Sequence, residues 1–124
     1  MSDQPGGPEY SLVVPIFNEE QTLSELVRRL RLLLDRLDAS AEIVLVDDGS
    51  SDRSYDLMLA AREADSRFKV LRLSRNFGHQ IAITAGMDVA AGNAVIVMDA
   101  DLQDPPEVVL EMAARWREGF DIIY

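Results

Sequence analysis

Most of the chemistry open to this chain lies in three short acidic segments. In Asp99-Ala100-Asp101-Leu102-Gln103, residues two apart at a strand end project to the same side. Asp99 and Asp101 can therefore share one cation, with the Gln103 carbonyl continuing the alternation, and hard oxygen donors of this kind suit Mg2+ or Mn2+. The same residues also fit a plainer role, with Asp99 capping a turn and Asp101 solvated. Asp47-Asp48-Gly49-Ser50 reads two ways as well: a turn in which Asp48 or Ser50 caps the next helix, or a carboxylate that accepts a hydrogen bond from a heterocyclic N–H. Asn18 and Glu19, which follow Pro15-Ile16-Phe17, are either helix-start residues or part of the same crevice.

A fourth segment, Arg75-Asn76-Phe77-Gly78-His79-Gln80, is more polar than a connector needs to be. Arg75 suits a bidentate contact to phosphate, or a surface ion pair. His79 reads as a capping or exposed residue and takes no catalytic role.

The elements that must position these groups follow from the apolar pattern. Five runs rich in Val, Ile and Leu, at Ser11–Ile16, Glu42–Val46, Lys69–Leu73, Ala94–Met98 and Phe120–Tyr124, alternate with helical periodicity, the mark of strand–helix–strand units and a parallel sheet covered on both faces. In Glu20–Leu37, Leu23, Leu26, Val27, Leu30, Leu34 and Leu37 recur at helical spacing, with Arg28, Arg29, Arg31 and Arg36 mostly opposite and Asn18 as the expected N-cap. A second helix is expected over about Ser51–Ala64. A third, about His79–Ala91, carries Ala82, Ala85, Gly86 and Val89, small enough to lie close to a sheet. The fourth starts at Asp104-Pro105-Pro106-Glu107, buries Val109, Met112, Ala113 and Trp116, and stops at Gly119. In an α/β sheet of this type ligands bind where the loops leave the carboxyl ends of the strands, and all the polar segments fall there.

Composition narrows the choices further. The chain has 124 residues, 48% hydrophobic and 27% charged, in the range of one ordinary globular domain. With no cysteine and one histidine it can build neither a thiolate metal site nor a multi-imidazole zinc site. A formal charge of −10 repels nucleic acid, and it favours a bound divalent cation wherever a phosphate ligand has to be held. Met1–Tyr10, with Pro5, Gly6, Gly7 and Pro8, reads as a flexible lead-in, and no apolar run approaches the roughly 20 residues that cross a bilayer.

Four strings together carry a resemblance. They are Val-Val-Pro-Ile-Phe-Asn-Glu-Glu at 13–20, Val-Asp-Asp-Gly-Ser at 46–50, Arg-Asn-Phe-Gly-His-Gln at 75–80 and Met-Asp-Ala-Asp-Leu-Gln-Asp-Pro-Pro-Glu at 98–107. In order and spacing the chain resembles the GT-A fold, family 2 glycosyltransferases over 11–124, and within them the polyprenyl-phosphate sugar transferases related to dolichol-phosphate mannose synthase. The last two strings point to the bacterial undecaprenyl-phosphate branch.

The resemblance implies the nucleotide-binding half of a GT-A, Rossmann-like α/β domain with a mostly parallel sheet. It implies transfer of a sugar, with inversion, from a UDP- or GDP-linked donor to a polyprenyl phosphate at the cytoplasmic face of the membrane. The positions matching Pro15, Phe17, Glu19, Val46, Asp48, Ala100 and Asp101 would line the donor site, and Asn18 and Arg75, read from their own chemistry, are expected to join them. Those matching Asp99, Asp101 and Gln103 would hold Mg2+ or Mn2+, with Asp101 closest to the chemistry. An anionic lipid phosphate could attack without a general base, in keeping with the absence of an evident one. The family's acceptor-binding half and membrane-surface region have no counterpart here, so the chain is expected to bind donor and metal while transferring sugar poorly alone. An unfinished fifth strand would leave a sheet edge open to a second copy.

Other readings fit less well. A phosphoacceptor receiver domain needs its acidic pair after the first strand and a lysine after the fifth, whereas the pair here follows the second strand and the only lysine is Lys69. A dinucleotide-dependent oxidoreductase needs G-x-G-x-x-G after the first strand, and Pro15–Glu20 has no glycine. A sugar nucleotidyltransferase would also want glycine and lysine there. A saccharide hydroxyl as acceptor, or a non-catalytic donor-binding or scaffold role, remain the alternatives.

Overall fold

The computed structural model describes residues 7–37, 40–100, 110, 111, 113 and 114. Within them the order is β1 (Tyr10–Ile16), α1 (Leu23–Arg36), β2 (Ala41–Asp47), α2 (Ser54–Ala64), β3 (Phe68–Arg72), α3 (His79–Val89) and β4 (Ala94–Val97). The strands form one parallel sheet in the order β3-β2-β1-β4. The expected α/β architecture is present.

Strand β1 runs through the middle with all seven residues buried. Its alternation divides the core in two, because successive side chains leave opposite faces of a strand. Tyr10, Leu12, Val14 and Ile16, with Ile43, Leu45, Phe68 and Ile96, meet Leu23, Leu26, Leu30, Leu33 and Leu34 of α1 and Met58 and Ala61 of α2. Val13, Val44 and Val46 meet Ala82 of α3 on the other side, with Leu71, Val95 and Val97 partly covered. Each fully buried Leu or Ile contributes about 1.5–3 kcal/mol against the entropy of ordering the chain, so the leucine stripe of α1 dominates the thicker side.

The thinner side depends on glycine. A Cβ at Gly86 would stand 2.5 Å from Val13 Cγ1 and 2.9 Å from Val46 Cγ2, so only a bare backbone lets α3 approach the sheet this closely. At the amino ends of the strands a buried polar network ties α3 down from below. The Ser11 hydroxyl donates to Glu42 Oε2 at 2.6 Å, Ala91 N–H donates to the same oxygen at 2.7 Å, and Gly92 N–H donates to Ser11 Oγ at 2.8 Å. Lys69 Nζ reaches Glu42 Oε1 at 2.6 Å. Burial pulls the Glu42 carboxyl upward, but the Ala91 N–H, Lys69 and Ser11 outweigh it and hold the group below the usual carboxylate range.

Several boundaries differ from the sequence reading. Tyr10, placed in the lead-in, opens β1 and is wholly buried. Helix α1 starts at Leu23 with Thr22 as N-cap, not at Glu20 with Asn18, because Asn18 has φ +53 and its side chain is engaged elsewhere. Neither Asp48 nor Ser50 caps α2, which begins at Ser54. Leu110, Glu111, Ala113 and Ala114 are helical, and Ala113 O accepts a 3.4 Å hydrogen bond from the Tyr10 hydroxyl. The start of the fourth helix at Asp104, its end at Gly119 and the strand at Phe120–Tyr124 lie outside the described residues. No helix among the described residues is long and apolar enough to cross a membrane.

Candidate functional site

The loops leaving β1, β2, β3 and β4 converge at the carboxyl end of the sheet around a pocket of about 470 Å3. Its walls are Pro15, Ile16, Phe17, Glu19, Asp48, Asn76, Gly78, His79, Asp99 and Ala100. Six of the residues singled out from sequence, Pro15, Phe17, Glu19, Asp48, Asp99 and Ala100, therefore share one cavity. Asp101 and Gln103 lie outside the described residues.

The β1 and β2 loops are laced together by polar groups. Asn18 Oδ1 accepts from Ser51 N–H at 2.8 Å and Asp52 N–H at 3.3 Å, while its own N–H donates to Ser50 Oγ at 2.9 Å. Glu19 N–H donates to Ser54 Oγ at 2.8 Å, and Arg53 N–H donates to Glu20 Oε1 at 2.9 Å. Burial pushes the Asp52 carboxyl up, yet the Ser54 hydroxyl and N–H and the Glu20 N–H together keep it lowered. Asn18 thus cross-braces two loops instead of capping its own helix.

Asp47 and Asp48 take different parts. Asp47 is wholly buried; its Oδ1 accepts from Ser50 N–H at 3.0 Å, and its Oδ2 has no hydrogen-bond partner among the described residues. Arg72 Nε stands 3.6 Å from that oxygen, with the guanidinium 4.2 Å from the Tyr55 ring centroid. Asp48 faces the other way and accepts Phe77 N–H at 2.8 Å, Gly78 N–H at 3.2 Å and Asn76 Nδ2 at 3.2 Å.

Across the pocket, His79 Nε2 lies 3.1 Å from Asp99 Oδ1. Sequence reasoning left His79 without a role; its place at the first position of α3, behind Gly78 with φ +104, is what delivers it to Asp99. Arg75 does not line the pocket, and its guanidinium stacks 4.2 Å from the Phe77 ring centroid. Val46 does not line it either, being buried in the core beneath α3.

Among the described residues no three His, Asp or Glu side chains cluster closely enough to hold an ion. Of the three ligands expected from sequence they include Asp99, whose carboxylate is about half exposed at the pocket and braced by His79. That group fits Mg2+ or Mn2+ in chemical type and in access from the pocket.

Residues 11–124 match the family described as glycosyl transferase family 2. The chain is 51% identical over 116 residues to the uncharacterized glycosyltransferase YkcC of Bacillus subtilis, covering 94% of this chain and 36% of that one. It is 45% identical over 114 residues to the undecaprenyl-phosphate 4-deoxy-4-formamido-L-arabinose transferase of Salmonella choleraesuis, covering 91% and 35%. This chain therefore spans about a third of the length of these relatives. Among solved structures, S. aureus TarS 1-349 in complex with UDP-GlcNAc superimposes with a TM-score of 0.71 at 26% identity over 89% of this chain and 31% of that one. The mannosyltransferase PcManGT of Pyrobaculum calidifontis, in complex with GDP-Man and Mn2+, gives 0.73 at 21%, covering 90% and 33%.

Proposed function

Because this chain belongs to glycosyl transferase family 2, we propose that its pocket binds the nucleoside diphosphate of a UDP- or GDP-linked sugar, as the donor half of an enzyme that passes the sugar, with inversion, to polyprenyl phosphate. One observation carries the reading: Pro15, Phe17, Glu19, Asp48, Asp99 and Ala100, chosen from sequence for donor or metal binding, come from three separate strand ends and line a single cavity at the carboxyl end of a parallel sheet. The 45% identity to an undecaprenyl-phosphate sugar transferase supports the lipid phosphate as acceptor, and a lipid-borne acceptor in turn calls for a place at the membrane surface, in this reading its cytoplasmic face.

In this reading Pro15, Phe17 and Glu19 flank the nucleotide from the β1 side. Asn18 and Val46 support it indirectly, one by bracing the loops and the other by carrying Asp47 and Asp48 at the end of β2. Arg75, stacked on Phe77 outside the pocket lining, would reach the phosphates only after leaving that ring. Ala100 and Asp101 lie against the ribose and diphosphate, and Asp99, Asp101 and Gln103 hold Mg2+ or Mn2+. Such an ion, when bound, offsets the negative charge that grows on the departing diphosphate. His79 holds the Asp99 carboxylate towards the pocket.

Calorimetry with UDP and with GDP, each with and without Mn2+, tests this. We expect Mn2+ to raise affinity for one nucleotide by at least about tenfold, or 1.4 kcal/mol, and Asp99→Asn to abolish that gain. If neither nucleotide binds with the ion present, the reading fails.

A further inference from the structure

Asn18 stands between two residues of the pocket wall, Phe17 and Glu19, but does not line the pocket itself. Its φ of +53 is the one positive value among the described residues other than glycine, in a left-handed region that Asn tolerates better than most side chains. With the backbone so turned, Oδ1 accepts Ser51 N–H and Asp52 N–H from the segment that follows β2.

The bonds between these two segments run in both directions. The N–H groups of Asn18, Glu19 and Glu20 donate in turn to the side chains of Ser50, Ser54 and Asp52, at 2.9, 2.8 and 3.2 Å. Those of Ser51, Asp52 and Arg53 donate back, the first two to Asn18 and the third to Glu20 Oε1 at 2.9 Å. None of these N–H groups lies inside α1 or α2, so each would otherwise turn to water. One such bond holds little, but a reciprocal set fixes the two segments as one body.

The consequence falls on the pocket. Phe17 and Glu19 flank Asn18, and Asp48, two residues before Ser50, belongs to the same lining. Phe77 N–H, Gly78 N–H and Asn76 Nδ2 fill about three of the four lone-pair positions of the Asp48 carboxylate, which leaves one for a heterocyclic N–H. The spacing between that position and the Phe17 and Glu19 side is therefore set before a ligand arrives.

We propose that Asn18 is a positioning residue for the nucleoside end of the donor: by joining the 18–20 and 50–54 segments it presets the slot that Phe17, Glu19 and Asp48 share. This rests on the nucleotide-binding reading for its consequence, while the brace itself is measurable without ligand. The His79–Asp99 contact belongs to other loops, so Asn18 acts on the nucleotide and leaves the gain from the ion alone.

Three variants separate the parts of the brace. Asn18→Gly keeps the left-handed backbone accessible and removes Oδ1; Asn18→Ala removes both; Asn18→Asp puts an acceptor back on a residue that also tolerates that conformation. In Asn18→Gly we expect amide hydrogen exchange at Ser51 and Asp52 of the ligand-free chain to accelerate by about fivefold, and further in Asn18→Ala, with Leu45 and Val46 at wild-type rates. Titrations with UDP and GDP follow, at a temperature where circular dichroism shows every variant folded. Asn18→Gly should lose about tenfold in nucleotide affinity, because the ligand must then order Phe17 and Glu19 itself, and the loss should be equal with and without Mn2+. Asn18→Asp should recover most of both changes. A brace that served stability alone would leave the affinity of the folded chain unmoved. The proposal is overturned if Ser51 and Asp52 exchange at wild-type rates in Asn18→Ala, if they accelerate with affinity unchanged, if the loss appears only when Mn2+ is present, or if Asn18→Asp binds as weakly as Asn18→Gly. Should neither nucleotide bind the wild-type chain, the functional reading fails and takes the nucleotide consequence with it, while the ligand-free exchange rates still decide the brace.

Discussion

Replacing Gly49 with alanine puts the seating of the 75–78 loop on the 48–49 turn to a quantitative test, with Gly78→Ala as its control. Both glycines have positive φ, +77 and +104, so both substitutions strain the backbone. The strain at Gly78, with ψ 158, lies in a region nearly exclusive to glycine and costs about 1–3 kcal/mol; that at Gly49 is about 1–2 kcal/mol. The surroundings separate them. Nothing lies within 4 Å of a Cβ at Gly78, whereas one at Gly49 meets main-chain atoms of Arg75 and Asn76 at 2.4 Å. Ordinary carbon contacts are about 3.5–4.0 Å, so the 75–78 chain must retreat by about an ångström, far enough to break the Phe77 and Gly78 bonds to Asp48. Each bond to a charged group contributes about 1.5–3 kcal/mol. Gly49→Ala should therefore lose about 4 kcal/mol or more, against about 2 kcal/mol for Gly78→Ala, in equilibrium urea unfolding. Equal losses in the two variants would refute the seating of one loop on the other.

Gly86→Ala should lower stability by about 1–2 kcal/mol in the same assay, because overpacking against Val13 and Val46 costs about 1–3 kcal/mol and the gain in helix propensity returns at most about 1; an increase in stability would show that α3 rides higher on the sheet. Ser11→Ala removes one donor to the buried Glu42 and the acceptor of Gly92 N–H, and a loss of about 1–3 kcal/mol is expected by urea unfolding, with a value near zero counting against the network. Asp65 is held down to about 2 from an ordinary 3.8, chiefly by its hydrogen bonds to Arg67. Its folded-state pKa is depressed, so its contribution is full above about pH 4 and fades as pH falls towards 2; the urea midpoint should drop over that window, and less steeply in Asp65→Asn.

The strands were legible because a parallel sheet covered on both faces favours runs rich in Val, Ile and Leu, which β1, β2 and β4 carry and β3 carries in part, as Val70 and Leu71 between Lys69 and Arg72. The small residues on one face of α3 likewise announced a close approach, and Gly86 makes it. What escaped was polar pairing across long stretches of sequence. Asn18 has the side chain of an N-cap, but its partners are Ser51 and Asp52, over thirty residues on. Asp48 looked like a local cap or a ligand contact, and its donors sit in the loop after β3. Arg75 reads as a phosphate contact or a surface ion pair by charge, and its partner is the Phe77 ring two residues away. Ser11, Glu42 and Lys69 were a readable signal that went unused: polar residues inside apolar strands, on the face of Val13, Val44 and Leu71. The pocket was legible as a convergence of loops, but which members touch a ligand and which hold one another depends on geometry that residue types do not encode.

The position of β1 between β2 and β4 has a consequence for how the chain is made. β1 and β2 pair Tyr10 with Ala41, but β4 brings Ala94 to Tyr10 only after β2, β3 and the three helices between them have emerged. A nascent chain that has reached β3 holds three strands with one side of β1 bare, its N–H and C=O groups unpaired and its Val13 face not yet covered by α3. Such an edge invites pairing between neighbouring chains on a polysome. Loop closure over this span is slow compared with local helix formation, so the interval before β4 docks is when this fold most needs a chaperone.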